Sequence, residues 1–148
     1  MAIYALDYSV AICLPDESDP NRPGTMIGWQ KLFNVDLAAV HHRNRVFAIV
    51  LDPAHHGKGY GTEALNWLCK IGFQYGGLHR IHANCFSINS GGLRCYEKVC
   101  VSGLIGGQHR DLKLTGRARF PLSSGFKVEG VERDAYWYNG HWVNRIRV

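Results

Sequence analysis

The densest chemistry in this sequence lies between Leu51 and Thr62, where Leu-Asp-Pro-Ala-His-His-Gly-Lys-Gly-Tyr-Gly-Thr sets glycines at positions 57, 59 and 61. A strand that enters a glycine-dense turn and then a helix start makes an anion site. The first helical N–H groups have no intrahelical partner, and the helix dipole is positive at that end. Gly57, Gly59 and Gly61 remove side chains, so phosphate oxygens can approach the backbone, and Lys58 adds a charge. Spacing excludes two other phosphate loops. A Gly-x-x-x-x-Gly-Lys-Ser/Thr loop needs its hydroxyl directly after Gly-Lys, and Thr62 does not follow such a pair. The dinucleotide fingerprint Gly-x-Gly-x-x-Gly differs from Gly57-x-Gly59-x-Gly61, and no acidic residue ends a strand about 20 residues on.

Other reactive side chains carry weaker signals. His41-His42 and His55-His56 show no His-Glu-x-x-His or Cys/His spacing, so no metal site is expected. Cys13, Cys69, Cys85, Cys95 and Cys100 are odd in number and form no Cys-x-x-Cys pair. They read as small core residues in a reducing compartment, cytoplasmic or nuclear. Trp137, Tyr138 and Trp142 near Arg145 and Arg147 resemble a stacking surface for single strands, but hairpin packing accounts for them. The net charge of +5 admits an anionic partner, either nucleic acid or a phosphate-rich cofactor. The basic residues are scattered, so charge alone does not choose between them.

The elements that position these residues can be read from periodicity. From 25 to 37, Ile27, Trp29, Phe33, Val35 and Leu37 fall on odd positions, which predicts a strand burying that face, with Lys31 the break. Val46 to Leu51 is an unbroken apolar run, predicted to be a central strand covered on both faces and antiparallel to the first. Over 62–75 the period is helical. Glu63, Asn66, Lys70 and Gln74 form a narrow polar stripe, and Ala64, Leu65, Trp67, Leu68, Ile71 and Gly72 cover the rest against a sheet. Gly76-Gly77 closes that helix. Residues 79–87 alternate, with Ile81, Ala83 and Cys85 on one face, and Asn89-Ser90 offers an N-cap for a short helix through Lys98. Asn139-Gly140 between aromatic, β-rich segments predicts a hairpin. With a first strand at 8–14, the order is β–β–β–α–β–α–insert–β–β, a mixed α/β sheet in a single domain spanning 1–148. A length of 148 residues and a hydrophobic share of 46% suit one soluble domain. No apolar run approaches the roughly 18 residues of a membrane span, and the opening lacks a basic leader.

Two ordered blocks carry a resemblance. His56-Gly-Lys-Gly59-Tyr-Gly61 is similar to the pyrophosphate loop of the GNAT acetyltransferases, Gln/Arg-x-x-Gly-x-Gly/Ala, with His56 in place of Gln or Arg. Asn89-Ser-Gly-Gly92-Leu-Arg-Cys-Tyr96-Glu97-Lys98 resembles the family's Asn-x-x-small-x-x-x-Tyr-Glu-Lys block. Residues 27–148 resemble the family apart from 100–124, and within it the branch that acetylates ribosomal-protein N-termini. The resemblance implies the GNAT acyl-CoA N-acyltransferase fold, a splayed mixed sheet with acetyl-CoA wedged between two parting strands. It implies that Ile49, Val50 and Leu51 pair with the pantetheine arm through their backbone. His56, Gly57, Lys58, Gly59, Tyr60, Gly61 and Thr62 would surround the pyrophosphate, and Asn89 would lie beside the pantetheine.

The implied reaction is transfer of an acetyl group from acetyl-CoA to an amine, on a protein N-terminus or a small molecule. A backbone N–H near Val50 would stabilise the oxyanion, and Tyr96 would protonate the leaving thiolate. Relatives often carry Glu early in the central strand as base. Val46 stands there; His41 and His42 in the preceding loop are candidate substitutes, against the plainer reading of solvated loop histidines. Two departures lower the expected turnover. The chain starts about where the family's second strand would, and residues 100–124 separate Tyr96-Glu-Lys-Val99 from Gly125-Phe126. That insert is read as an extra translated segment, with a regulatory or substrate loop as the alternative. The expectation is an impaired acetyltransferase with neither nucleic-acid nor membrane partner. The alternatives are a coenzyme A-binding fold without turnover and a small basic nucleic-acid module.

Overall fold

In the computed structural model, which describes residues 7–19, 21–99 and 126–148, the chain opens with two antiparallel strands, β1 (Tyr8–Pro15) and β2 (Pro23–Phe33). Ile12 faces Gly28 and Cys13 faces Met26, so Ile27 is an extra residue in β2. A bulge of one residue reverses the inside–outside alternation beyond it. Ile27 is buried, but the next buried residues are Gln30 and Leu32, on even positions, while Trp29 and Val35 are exposed. The odd-numbered face predicted from periodicity is therefore not the buried one, and the strand ends at Phe33 rather than at Leu37.

A 3₁₀ turn, Leu37–His42, starts where the Asp36 carboxylate accepts from the Ala38 N–H at 2.9 Å. It leads into β3 (Asn44–Leu51), which pairs antiparallel with β2 from Phe33↔Val46 to Gly28↔Leu51. Arg45, Val46 and Phe47 are buried, but Val50 is 51% exposed. The expectation of a strand covered on both faces holds for its first half and fails for its second.

Helix α1 (Tyr60–Lys70) runs on into a π turn at Ile71–Tyr75; it buries Ala64, and it packs Leu65, Leu68 and Cys69 in one core with Leu32 and Phe47. Trp67 departs from the predicted apolar side. It is 42% exposed, with its ring 6.2 Å from that of Tyr8. The following alternating segment divides into β4 (Arg80–His82) and β5 (Asn84–Phe86), with Ile81, Ala83 and Cys85 buried as predicted. Helix α2 (Ser90–Lys98) starts at the predicted cap, Asn89.

The last two strands, β6 (Gly130–Tyr138) and β7 (His141–Arg147), form the predicted hairpin. Asn139 and Gly140 both take positive φ, 50° and 87°, as the tight turn requires. Among the described residues, the four strands β1-β2-β3-β4 make one sheet, and β5-β7-β6 make a second. Both helices pack on the face that carries Leu32 and Phe47, and Leu65, Leu68, Cys69 and Val99 are sealed beneath them. The predicted insert, residues 100–124, lies outside the described residues. Phe126 resumes directly against α2, its N–H donating to the Tyr96 carbonyl at 3.1 Å and its ring 5.1 Å from that of Phe47.

At Gly28 the backbone of β3 leaves no room for a side chain. A Cβ there would overlap the Val50 carbonyl oxygen and sit 3.0 Å from the Leu51 Cα. Backbone cannot swing aside as a side-chain tip can, so Gly28→Ala is predicted to lower stability by about 1–3 kcal/mol. A urea melt with an unshifted midpoint would contradict this packing.

Candidate active site

The site originates in a change of hydrogen-bonding partner. β3 and β4 pair in parallel through Asn44↔Arg80, Arg45↔Ile81 and Val46↔His82, and there the pairing stops. Ala83 exchanges hydrogen bonds with Val148 instead, at 2.8 and 3.0 Å, and β5 continues along β7. The strands therefore part beyond Val46 and His82. Antiparallel hydrogen bonds alternate along a strand, and the bond from Asp52 N–H to the Ile27 carbonyl, 2.8 Å, sets the phase. Val50 accordingly directs its N–H and C=O at β2, whereas Ile49 and Leu51 direct theirs into the gap.

The gap opens into a cleft of about 1100 Å³ between β3, the glycine loop, α1 and α2. Asp52 starts the loop by accepting from the Ala54 N–H at 2.8 Å, ahead of a 3₁₀ turn at Pro53–His55. Gly57 and Gly59 take φ of 74° and 90°, and a Cβ on either would meet nothing within 4 Å. The two residues supply a left-handed path and leave open space. Gly61 has a different duty, since a Cβ there would press to 3.3 Å against Cys95 Sγ and Leu51 Cδ1. Gly59 is the N-cap of α1 and offers no side-chain acceptor. The first N–H groups of that helix, at Tyr60, Gly61 and Thr62, are thus presented at the cleft without a cap. His56 turns back on its own strand, donating Nε2–H to the Leu51 carbonyl at 3.0 Å.

The opposite wall is α2. The Asn89 side chain accepts from the Gly92 N–H at 2.9 Å, so its amide oxygen serves as a helix cap. The Thr62 hydroxyl and the Cys95 thiol lie 3.5 Å apart and join the two helices. Tyr96 is buried edge-on to Phe47, ring centroids 5.1 Å apart. Burial pushes its phenol above the ordinary tyrosine range, with Cys85 and Cys95 adding to the effect. Tyr96 therefore keeps its proton through neutral pH.

Eleven of the predicted site residues meet in this one cleft: Ile49, Val50, Leu51, His56, Gly57, Gly59, Tyr60, Gly61, Thr62, Asn89 and Tyr96. Lys58 does not line it. The cations on its wall are Arg94 and Lys98 of α2, which sequence reasoning passed over, and Glu63 is the sole carboxylate among the described lining residues. The helical phase of residues 90–98 would have placed Arg94 and Lys98 on one face, four residues apart. The His41 and His42 rings lie tilted against each other, centroids 4.0 Å apart, in the turn before β3 and take no part in the lining.

A glycine loop feeding an uncapped helix beside two parted strands is the architecture implied above, and comparison with known proteins agrees. The acetyltransferase (GNAT) domain model matches residues 3–99. The chain belongs to the GNAT family. It is 29% identical over 117 residues to the probable N-acetyltransferase YjcK of Bacillus subtilis (strain 168), a match covering 79% of this chain and 50% of that protein. Among solved structures it resembles the Vibrio cholerae spermidine N-acetyltransferase in complex with CoA and spermine, with a TM-score of 0.65 at 20% identity over 95% of this chain and 63% of the other. A SpeG chimera from Vibrio cholerae and hSSAT gives the same TM-score and identity, over 95% of this chain and 64% of the other. The chain thus spans half the length of the curated relative and less than two thirds of these structures. At 20% identity the structural likeness establishes the GNAT fold. These spermidine-acetyltransferase neighbours lend no support to the narrower resemblance to the ribosomal-protein branch.

The different duties of the glycines can be separated. Gly59→Ala forces a side chain into a left-handed conformation and should cost about 1–2 kcal/mol. Gly61→Ala meets only movable side-chain tips and gains helix propensity, so it should stay within about 1 kcal/mol of the parent. Thermal melts giving the reverse order would refute this division.

Proposed function

We propose that this GNAT chain transfers an acetyl group from acetyl-CoA to an acceptor amine. The observation that carries the reading is the parting of β3 from β5 directly onto the uncapped start of α1, with Tyr96 on the facing helix. On this reading the pyrophosphate lies against His56, Gly57, Gly59, Tyr60, Gly61 and Thr62, with Lys58 adding long-range charge. The pantetheine lies along β3, beside Asn89. The backbone alternation favours the Ile49 and Leu51 N–H groups over that of Val50 as partners for the pantetheine amides and the thioester oxygen. Tyr96, held protonated by burial, supplies the proton to the departing thiolate.

Continuing the strand register past the vertex puts Val50 and Phe86 at the same height on the two lips, on the face away from the helices. Phe86 packs against Tyr136 and Tyr138, with ring centroids 4.6 and 5.9 Å apart, and Trp29 sits opposite Val50. An amine reaching the thioester from that side crosses an aromatic mouth. Spermidine, which the structural neighbours are named for, belongs in the first acceptor panel beside peptide N-termini and arylalkylamines.

A coenzyme A-binding fold without turnover is the second reading. What favours it is Val46, buried and unable to take a proton where relatives often carry Glu. Titration with acetyl-CoA and thioester consumption across the panel distinguish the two. Tyr96→Phe should lower kcat by about 10²-fold or more while coenzyme affinity stays near that of the parent. A Tyr96→Phe protein with undiminished kcat would leave the tyrosine a packing role against Phe47.

A further inference from the structure

The titratable side chains His55, His56 and Glu63 of the cleft belong to the glycine loop and the first turn of α1, and the residue directly across from Val46 is His82 of β4. Laterally paired residues project from the same face of a sheet. His82 therefore stands at the vertex of the gap, on the face of Val50 and Phe86 where the aromatic mouth lies. Its ring is half-buried and fixed, with Nδ1 3.0 Å from Asn44 Oδ1. An amide oxygen only accepts, so Nδ1 carries the proton and Nε2 keeps its lone pair. The charged groups around it are Arg80 on its own strand, Arg147 of β7 and Glu129, which is ion-paired with Arg80. Burial first, then Arg80 and Arg147, hold its pKa below the ordinary histidine value against a smaller opposing effect of Glu129. The imidazole is neutral at neutral pH, the form a base requires.

We infer that His82 is the general base of the reaction, taking the proton of the acceptor amine directly or through one water. The inference rests on the acetyltransferase reading above. The ammonium gives one proton to His82 Nε2, and the freed nitrogen lone pair forms the C–N bond at the thioester carbonyl carbon. The C–S bond then breaks with its electron pair on sulfur, and the thiolate takes the Tyr96 proton. The remaining excess proton on nitrogen returns to Tyr96, and His82 releases its own to water. The products are the amide, the free thiol and one proton.

The test compares the full chain with His82→Gln and Asn44→Asp, measuring coenzyme affinity, melting temperature and thioester consumption from about pH 5 to 10, a range bracketing histidine titration. His82→Gln should lower kcat/KM about 10²-fold for an alkylamine with coenzyme affinity unchanged. It should also remove the acid limb below neutrality, so that the rate climbs only toward the amine's own pKa. A weakly basic arylamine, already unprotonated, should lose far less. Asn44→Asp places a carboxylate on Nδ1–H, raises the His82 pKa and should move the acid limb to higher pH. That shift decides the matter should His82→Gln melt too low to assay. An unaltered acid limb in both variants would overturn the inference and leave the acetyltransferase reading standing. Coenzyme binding without turnover in the parent chain would overturn the inference together with catalysis, and absence of coenzyme binding would overturn the proposed function itself.

Discussion

Backbone N–H and C=O groups must find partners in a folded interior, so two strands can separate only where each has somewhere else to bond. β5 meets this condition by pairing with β7 through Ala83, Cys85 and Ser87. β3 meets it on one edge only, where β2 holds Val46, Ala48 and Val50. Its other edge, at Ile49 and Leu51, is left facing a cleft, with the Leu51 carbonyl taken by His56. The position of the loop, the exposure of Val50 and the aromatic lips all follow from that exchange of partners after Val46 and His82.

The remaining structure holds the opening in place. Leu65 and Leu68 anchor α1 under β3, and Gly61 leaves room beside its first turn for Cys95 Sγ and Leu51 Cδ1. Phe47, Tyr96 and Phe126 form one aromatic group that ties α2 to the strand and to the returning chain. Burial in that group keeps the Tyr96 phenol protonated, so packing sets its protonation state. The charge asymmetry of the cleft, Arg94 and Lys98 against Glu63, suits a polyanionic ligand entering by the helix side.

Local devices were legible in the sequence. Asn139-Gly140 marks its turn because both residues tolerate positive φ, Asn89 marks a helix start, and the glycine spacing marks the left-handed loop before α1. Features set by pairing were not legible. The bulge at Ile27 depends on how β1 aligns with β2, and one extra residue leaves the apolar pattern unchanged while reversing the face it buries. Trp67 was placed inside by helical phase alone and lies outside because its partner is Tyr8. Arg94 and Lys98 became cleft residues only once α2 was docked. His82 escaped notice because parallel pairing brings it beside Val46 across an intervening loop and helix.

The central claim is that the gap edge of β3 is the coenzyme-binding edge. Amide exchange measured residue by residue, with and without saturating coenzyme A, tests it most directly. The account predicts that coenzyme A slows exchange at Ile49 and Leu51 and leaves Val50, already bonded to β2, nearly unchanged. Protection absent at Ile49 and Leu51 while coenzyme A is bound would contradict it.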